Sequence, residues 1–228
     1  MENLRAAGLA ASRRCSLQKM TSPKTPAYWR RATRELGAAD PIMGALILQY
    51  KGLTLASRGD AFQTLARSIV GQQISVKAAQ SVWDRFAAAV GVMQPGHVLR
   101  LSVEQLRACG LSGQKVNYLR DLSARFAEGA IDASRWHDMD DEALIEELTE
   151  VKGIGRWTAE MFLIFYLTRP DVFPLADIGL QRAMEQHYNK GRKLPDRRIA
   201  ALGKLWSPWR SVATWYLWRS LDPLPVEY

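Results

Sequence analysis

The 228-residue chain is 47% apolar and carries 31 Lys and Arg against 23 Asp and Glu, a formal charge of +8. This apolar content excludes a disordered chain, the length allows one domain or two small ones, and the basic excess suits a polyanionic partner without requiring one. Two cysteines (Cys15 and Cys109) and three scattered histidines exclude a disulfide framework, a cluster held by four cysteines and the usual zinc spacings.

No apolar run reaches the roughly 18 residues of a membrane span, so no membrane partner is expected. Residues 1–34 hold eight cations and Glu2 as their only acid. Such a composition resembles an organelle-targeting segment. We read residues 1–26 instead as a basic, flexible lead-in, ended by the prolines of Thr21-Ser22-Pro23-Lys24-Thr25-Pro26.

Everything after residue 26 reads helical. Asp60 is placed to cap a helix with Phe62, Leu65, Ala66, Ile69 and Val70 on one face. Gly71-Gln72-Gln73 interrupts it. Ser75 caps a second helix with Val76, Ala79, Trp83, Phe86 and Val90 inside, and Gly91 and Pro95 end that unit. Ser102 and Gln105 form a capping box for a short helix to Cys109. Ser112 opens another, burying Val116, Leu119, Leu122 and Phe126. Asp140 or Asp141 starts the next, with Leu144, Ile145 and Leu148 as its apolar side. Residues 156–168 are strongly apolar and predict a nearly central helix. Pro170 and Pro174 bracket an extended connection, in which Val172 and Phe173 carry the one strand-like signal. Helices from Asp177 to Tyr188, Asp196 to Leu205 and Trp209 to Ser220 complete the chain. The expected fold class is all-α. Residues 60–160 are expected to form one lobe; 27–59 and 161–228 form the other.

Val151-Lys152-Gly153-Ile154-Gly155 lies between two helical patterns. The glycines let the chain turn almost without side-chain bulk, and Ile154 can point inward to pin it. Amides at the start of the following helix then face outward, a seat for a phosphate oxygen. An ordinary glycine turn between packed helices fits the same residues. The run lacks the third glycine of a dinucleotide fingerprint and the ending of a P-loop.

Asp177 stands alone as a carboxylate in Pro174-Leu175-Ala176-Asp177-Ile178-Gly179-Leu180. Helix capping is its ordinary role. A capping carboxylate is also geometrically fixed, so it can stabilise positive charge on a sugar ring or orient a water. Eight tryptophans are present in the chain, and Trp206, Trp209, Trp215 and Trp218 crowd its end. Trp215 and Trp218 share a helix side. Core packing explains most of these rings. Trp157, directly after the hairpin, is the best candidate to line a slot for a flat, positively charged base. Arg210 falls near that seam, either packing or reaching a phosphate.

Three runs, in order, carry a resemblance: Ser68-Ile69-Val70-Gly71-Gln72-Gln73-Ile74-Ser75, then Gly153-Ile154-Gly155-Arg156-Trp157-Thr158-Ala159-Glu160 with Phe173-Pro174-Leu175-Ala176-Asp177, then Trp206-Ser207-Pro208-Trp209-Arg210-Ser211. Over about residues 45–222 the chain resembles the helix-hairpin-helix DNA glycosylases, and within them the alkylated-base glycosylases of the DNA-3-methyladenine glycosylase II type. The resemblance implies two helical lobes with the active site in the cleft between them. It implies that Asp177 is the essential carboxylate. Val151, Gly153, Ile154, Gly155 and Thr158 would form the backbone grip, with Lys152 and Arg210 as candidate phosphate contacts. It implies Trp157, Trp218 and Trp209 around the base pocket and Gln73, with Gln72 as the alternative, filling the gap left by a flipped nucleotide. No cofactor is implied, beyond a monovalent Na+ or K+ held by carbonyls near Val151 and Gly153.

Two positions depart from the family. Its lyase branch has lysine where this chain has Trp157, which removes the amine needed for a Schiff base and implies a monofunctional hydrolase. Met161 and Ile178 replace pocket tyrosines of the best-known bacterial type. At this length the compact form, without the additional N-terminal sheet domain, is expected. The partner implied is duplex DNA containing alkylated bases, met by a monomer in a bacterial cytoplasm at the nucleoid, or in a nucleus. Three other readings fit the residues: a non-catalytic binder of bent or damaged DNA, a glycosylase for deaminated or oxidised bases, and a helical adaptor.

Overall fold

The computed structural model describes residues 25–57 and 60–221. The basic lead-in therefore lies almost wholly outside the described residues. Twelve helices follow in order: α1 (Trp29–Ala39), α2 (Pro41–Gln49), α3 (Ala61–Gly71), α4 (Val76–Val90), α5 (Pro95–Arg100), α6 (Val103–Ala108), α7 (Gly113–Ala127), α8 (Asp141–Thr149), α9 (Arg156–Phe165), α10 (Ile178–Asn189), α11 (Asp196–Trp206) and α12 (Arg210–Leu221). The described residues form no sheet, so the fold is all-α. None of their helices is long and apolar enough to cross a membrane.

Local chemistry sets most of the helix starts. Asp60, Ser75, Ser112, Asp140 and Asp177 each accept an amide hydrogen from the first turn of the helix they precede. The Ser102–Gln105 box has both of its reciprocal bonds. Caps of this kind each contribute about 1 kcal/mol.

Four expectations are corrected. Pro95 does not end a unit; it opens α5, where a proline costs no hydrogen bond. The helix expected over 156–168 stops at Phe165, because the Leu167 amide turns back to the Phe162 carbonyl and Thr168 takes φ 51°. Val172 and Phe173 form no strand; the Val172 amide donates to Ser211 Oγ at 2.9 Å. In α4, Val82, Trp83, Phe86 and Val90 are buried, whereas Val76 is exposed and Ala79 half-buried. These last two border an open cavity.

Helices α3 to α7 pack on one another in pairs, while α1 and α2 pack with α12, and α12 packs with α10 and α11. α9 lies against α8 and α3. A buried carboxylate ties the second group together. Asp40 Oδ1 caps α2 through the amides of Ile42 and Met43, and Oδ2 accepts Tyr188 Oη at 2.6 Å and Trp206 Nε1 at 2.9 Å. Four donors satisfy this buried anion, so its desolvation is offset and helices α2, α10 and α11 are locked in register. The C-terminal end of α10 is thereby fixed, and its N-terminal end carries Asp177.

Candidate active site

Asp177 is half-buried at the start of α10 and accepts three hydrogen bonds. Oδ1 takes the Leu180 amide at 2.6 Å and Trp218 Nε1 at 2.8 Å. Oδ2 takes Trp157 Nε1 at 2.9 Å. A carboxylate offers about four lone-pair sites. The helix start and the two indoles therefore leave about one free for a ligand. Gly179 makes the arrangement fit. A Cβ there would stand 3.1 Å from Asp177 Oδ1 and 3.4 Å from Trp218 Cδ1. Trp218 is held in turn by stacking on Phe165, 5.7 Å between centroids at 14°.

The hairpin sits at the head of α9. Ile154 is buried and pins it from inside, as expected, and Val151 is buried beside it. Gly153 takes φ +85°, and a Cβ on it would lie 2.1 Å from Tyr118 Cδ2. The tyrosine ring of α7 occupies the space a side chain would need. Gly155 is the N-cap of α9 and no side chain caps that end. The first amides of α9 are thus left for an anion. The Lys152 amide donates to Asp121 Oδ2 at 3.0 Å, and its exposed ammonium lies 3.7 Å from the same carboxylate.

Gln72 and Gln73 separate cleanly. Gln72 Nε2 donates to the Gly153 carbonyl at 2.8 Å, so Gln72 links the α3–α4 turn to the hairpin. Gln73 is exposed and held at φ 58°, a conformation costly for a residue with a Cβ. Helix α7 braces both pieces. Lys115 Nζ donates to the Val70 carbonyl at 2.8 Å, one turn away from Tyr118 over Gly153.

A cavity of about 430 Å³ opens between α3, α4 and α9. Trp157, Thr158, Met161, Gln72 and Gln73 line it. Thr158, expected on the backbone grip, belongs to the uncapped first turn of α9 and also lines this space. Ile178 is exposed beside Asp177 and is not part of the cavity wall.

Two expected site residues lie elsewhere. Trp209 stacks on Tyr28 at 5.7 Å and donates to Glu35 Oε2 at 2.7 Å. It stands nine positions before Trp218 and is not among the residues that line the cavity. Arg210 forms a two-pronged ion pair with Asp171, at 2.7 and 2.8 Å, which occupies the fork expected to reach phosphate.

Other contributors escaped the sequence reading: Tyr118, Lys115, Gly179 and the buried Glu160. Glu160 accepts Arg156 Nε at 3.1 Å, while Arg156 also forks onto Glu142. Burial pushes the Glu160 carboxyl up, and Arg156 opposes this without cancelling it. The only prior signal was the four-residue Arg156–Glu160 spacing on one helix face.

A hairpin with uncapped helix amides beside a carboxylate held by two tryptophans is a helix-hairpin-helix arrangement. The profile of the HhH-GPD superfamily of base excision DNA repair proteins matches residues 66–208, and the chain belongs to that family. The Bacillus subtilis protein YfjP is 32% identical over 188 residues, spanning 79% of this chain and 66% of that protein, so the chain covers just under two thirds of this relative. The crystal structure of a DNA-3-methyladenine glycosidase from Bacillus halodurans is similar with a TM-score of 0.78 and 35% identity, over 84% of this chain and 89% of that one. A Schizosaccharomyces pombe 3-methyladenine DNA glycosylase in complex with abasic DNA gives 0.70 and 27%, over 87% and 99%.

Proposed function

We propose that the protein is a monofunctional DNA glycosylase that hydrolyses the N-glycosidic bond of alkylated bases in duplex DNA, as the first step of base excision repair. The observation that carries this is the Asp177 carboxylate, fixed by Trp157, Trp218 and the Leu180 amide beside the hairpin. The names of its relatives point to the same chemistry.

In this reading the α9 amides and the Gly153–Gly155 turn hold a phosphate, which positions the duplex without reading sequence. A weakened nucleotide rotates outward at a cost of a few kcal/mol, and Gln73 enters the gap while Gln72 stays on the hairpin. The base enters beside Trp157 with its sugar C1′ at Asp177. Methylation at N3 or N7 leaves the purine cationic, so its bond to C1′ breaks with the electron pair going to the base. Asp177 stabilises the oxocarbenium-like sugar. Water then forms the C1′–O bond and loses a proton to solvent. The products are free base and abasic site.

The absence of an amine at Trp157 supports hydrolysis over lyase action; Lys152 lies on the outer side with Asp121. Two groups of helices, α3 to α7 and α1, α2, α10 to α12, support a two-lobed enzyme with the site between them. A monovalent cation at the hairpin would use the remaining lone pair on each carbonyl. The Val151 carbonyl already accepts the Ile154 amide and the Gly153 carbonyl accepts Gln72. Such an ion would add positive charge beside the phosphate. The protein is expected to act as a monomer.

Release of free base from methylated duplex DNA, compared between wild type and D177N, tests the proposal. Asparagine caps a helix as well as aspartate does, so α10 is retained. Excision is expected to fall by at least about 100-fold, with affinity for an abasic-site duplex kept. Unchanged release in D177N removes Asp177 from this role.

A further inference from the structure

The cavity beside Trp157 is also lined by Arg67 of α3 and by Gln80 and Trp83 of α4. Val76, Ala79 and Met161 make much of the remainder apolar. Arg67 is half-buried and held in place. Its Nη2 donates to Gln80 Oε1 at 2.6 Å, and Gln80 Nε2 donates to Asp84 Oδ1 at 2.6 Å. Its guanidinium carbon lies 5.4 Å from the centre of the Trp83 ring. Among the described residues no carboxylate lies within ion-pair distance of it. A guanidinium has five donor hydrogens and does not lose its charge. One hydrogen is engaged and the plane is braced against an indole. A fixed, under-used cation on the wall of a largely apolar cavity is a site for an acceptor oxygen.

Position then selects the acceptor. Trp157 both bonds Asp177 and lines the cavity, so one indole joins the carboxylate to this space. A purine attached through N9 projects its six-membered ring inward, with the 6-substituent on its distal part. We infer that Arg67 reads this substituent, donating to a 6-oxo group and disfavouring a 6-amino group. The assignment rests on the glycosylase reading above and ranks, among its alkylated substrates, purines with oxygen at C6 ahead of those with an amino group there. On a neutral 6-oxopurine the same donors meet O6 and N7 together, the pairing by which arginine recognises guanine edges. There the bond to C1′ breaks with its electrons on the base, and Arg67 stabilises the departing anion by hydrogen bonds. The proton that later neutralises the base comes from the water that adds to C1′.

The test uses the full chain and one substrate, duplex DNA treated with a methylating agent. 7-Methylguanine and 3-methyladenine are both cationic, and only the former carries a 6-oxo group. Release of both is measured from the same reaction for wild type, R67A and R67K. The ratio of 7-methylguanine to 3-methyladenine released is expected to fall about ten- to hundredfold in R67A. R67K, which keeps the charge but not the fork, is expected to fall between. Hypoxanthine in a defined duplex is expected to lose more than either. An equal loss of both bases overturns the inference: with a salt dependence of binding shallower by about one unit it assigns Arg67 to a phosphate, and without that change to structure. An unchanged ratio at wild-type rates assigns Arg67 to solvent and also overturns it. If wild type releases neither methylated base, the glycosylase reading itself fails, which is a separate outcome.

Discussion

Gly153→Ala is the sharpest structural test, because two independent penalties meet at one atom. The added Cβ would lie 2.1 Å from Tyr118 Cδ2 and 2.5 Å from Cε2 and Cγ of the same ring. No side chain tolerates such separations, so the ring or the turn must shift. Overpacking of this kind costs about 1–3 kcal/mol. The backbone at φ +85° adds about 1–2 kcal/mol for any residue with a Cβ. The sum is roughly 2–5 kcal/mol, taken from folding stability, from the hairpin geometry, or from both. Urea unfolding gives the first share, and affinity for an abasic-site duplex gives the second. The double variant G153A/Y118A separates the penalties. Removing the ring relieves the clash and leaves the backbone term, so it is expected to recover part of the duplex affinity lost by G153A. The reasoning is refuted if G153A alone matches wild type within about 0.5 kcal/mol in both measurements.

Two further outcomes follow from the surroundings of Asp177. Gly179→Ala places a Cβ 3.1 Å from Asp177 Oδ1 in a helix that otherwise favours alanine. Thermal stability is expected to hold while single-turnover excision falls about three- to tenfold, because a carboxylate displaced by tenths of an ångström loses alignment; full activity would show that this packing does not fix Asp177. Glu160→Gln addresses pH. Burial raises the Glu160 carboxyl above its ordinary value of 4.5 in the folded protein. The native state then holds that proton more tightly than the unfolded chain, so the stabilising contribution is complete below the ordinary value. It is lost as pH rises through the folded value. The stability of wild type relative to E160Q is therefore expected to decline across that window in urea titrations, and a constant difference from about pH 4 to about pH 8 would remove this assignment.

Residues 66–208, which identify the family, were legible because their signals are local. A glycine pair, a capping aspartate and a serine before an amphipathic run each act within one turn of chain. So the helix starts at Asp60, Ser75, Ser112, Asp140 and Asp177 could be read directly. Periodicity failed where a face looked apolar for another reason: Val76 and Ala79 border the cavity rather than the core.

The helical class, the tight turn before α9 and the single carboxylate opening α10 were all written in local residue patterns. Tertiary structure alone decided which groups meet. Gln72 reaches Gly153 across 81 positions, and Asp177 reaches Trp218 across 41. Trp209 and Trp218 looked alike in sequence, yet one holds Glu35 and the other the candidate catalytic carboxylate. Arg67 and Tyr118 carried no motif-level signal. The physical reason is that helix period and capping specify which side of a helix is buried, whereas the partner on that side is set by how separate helices pack.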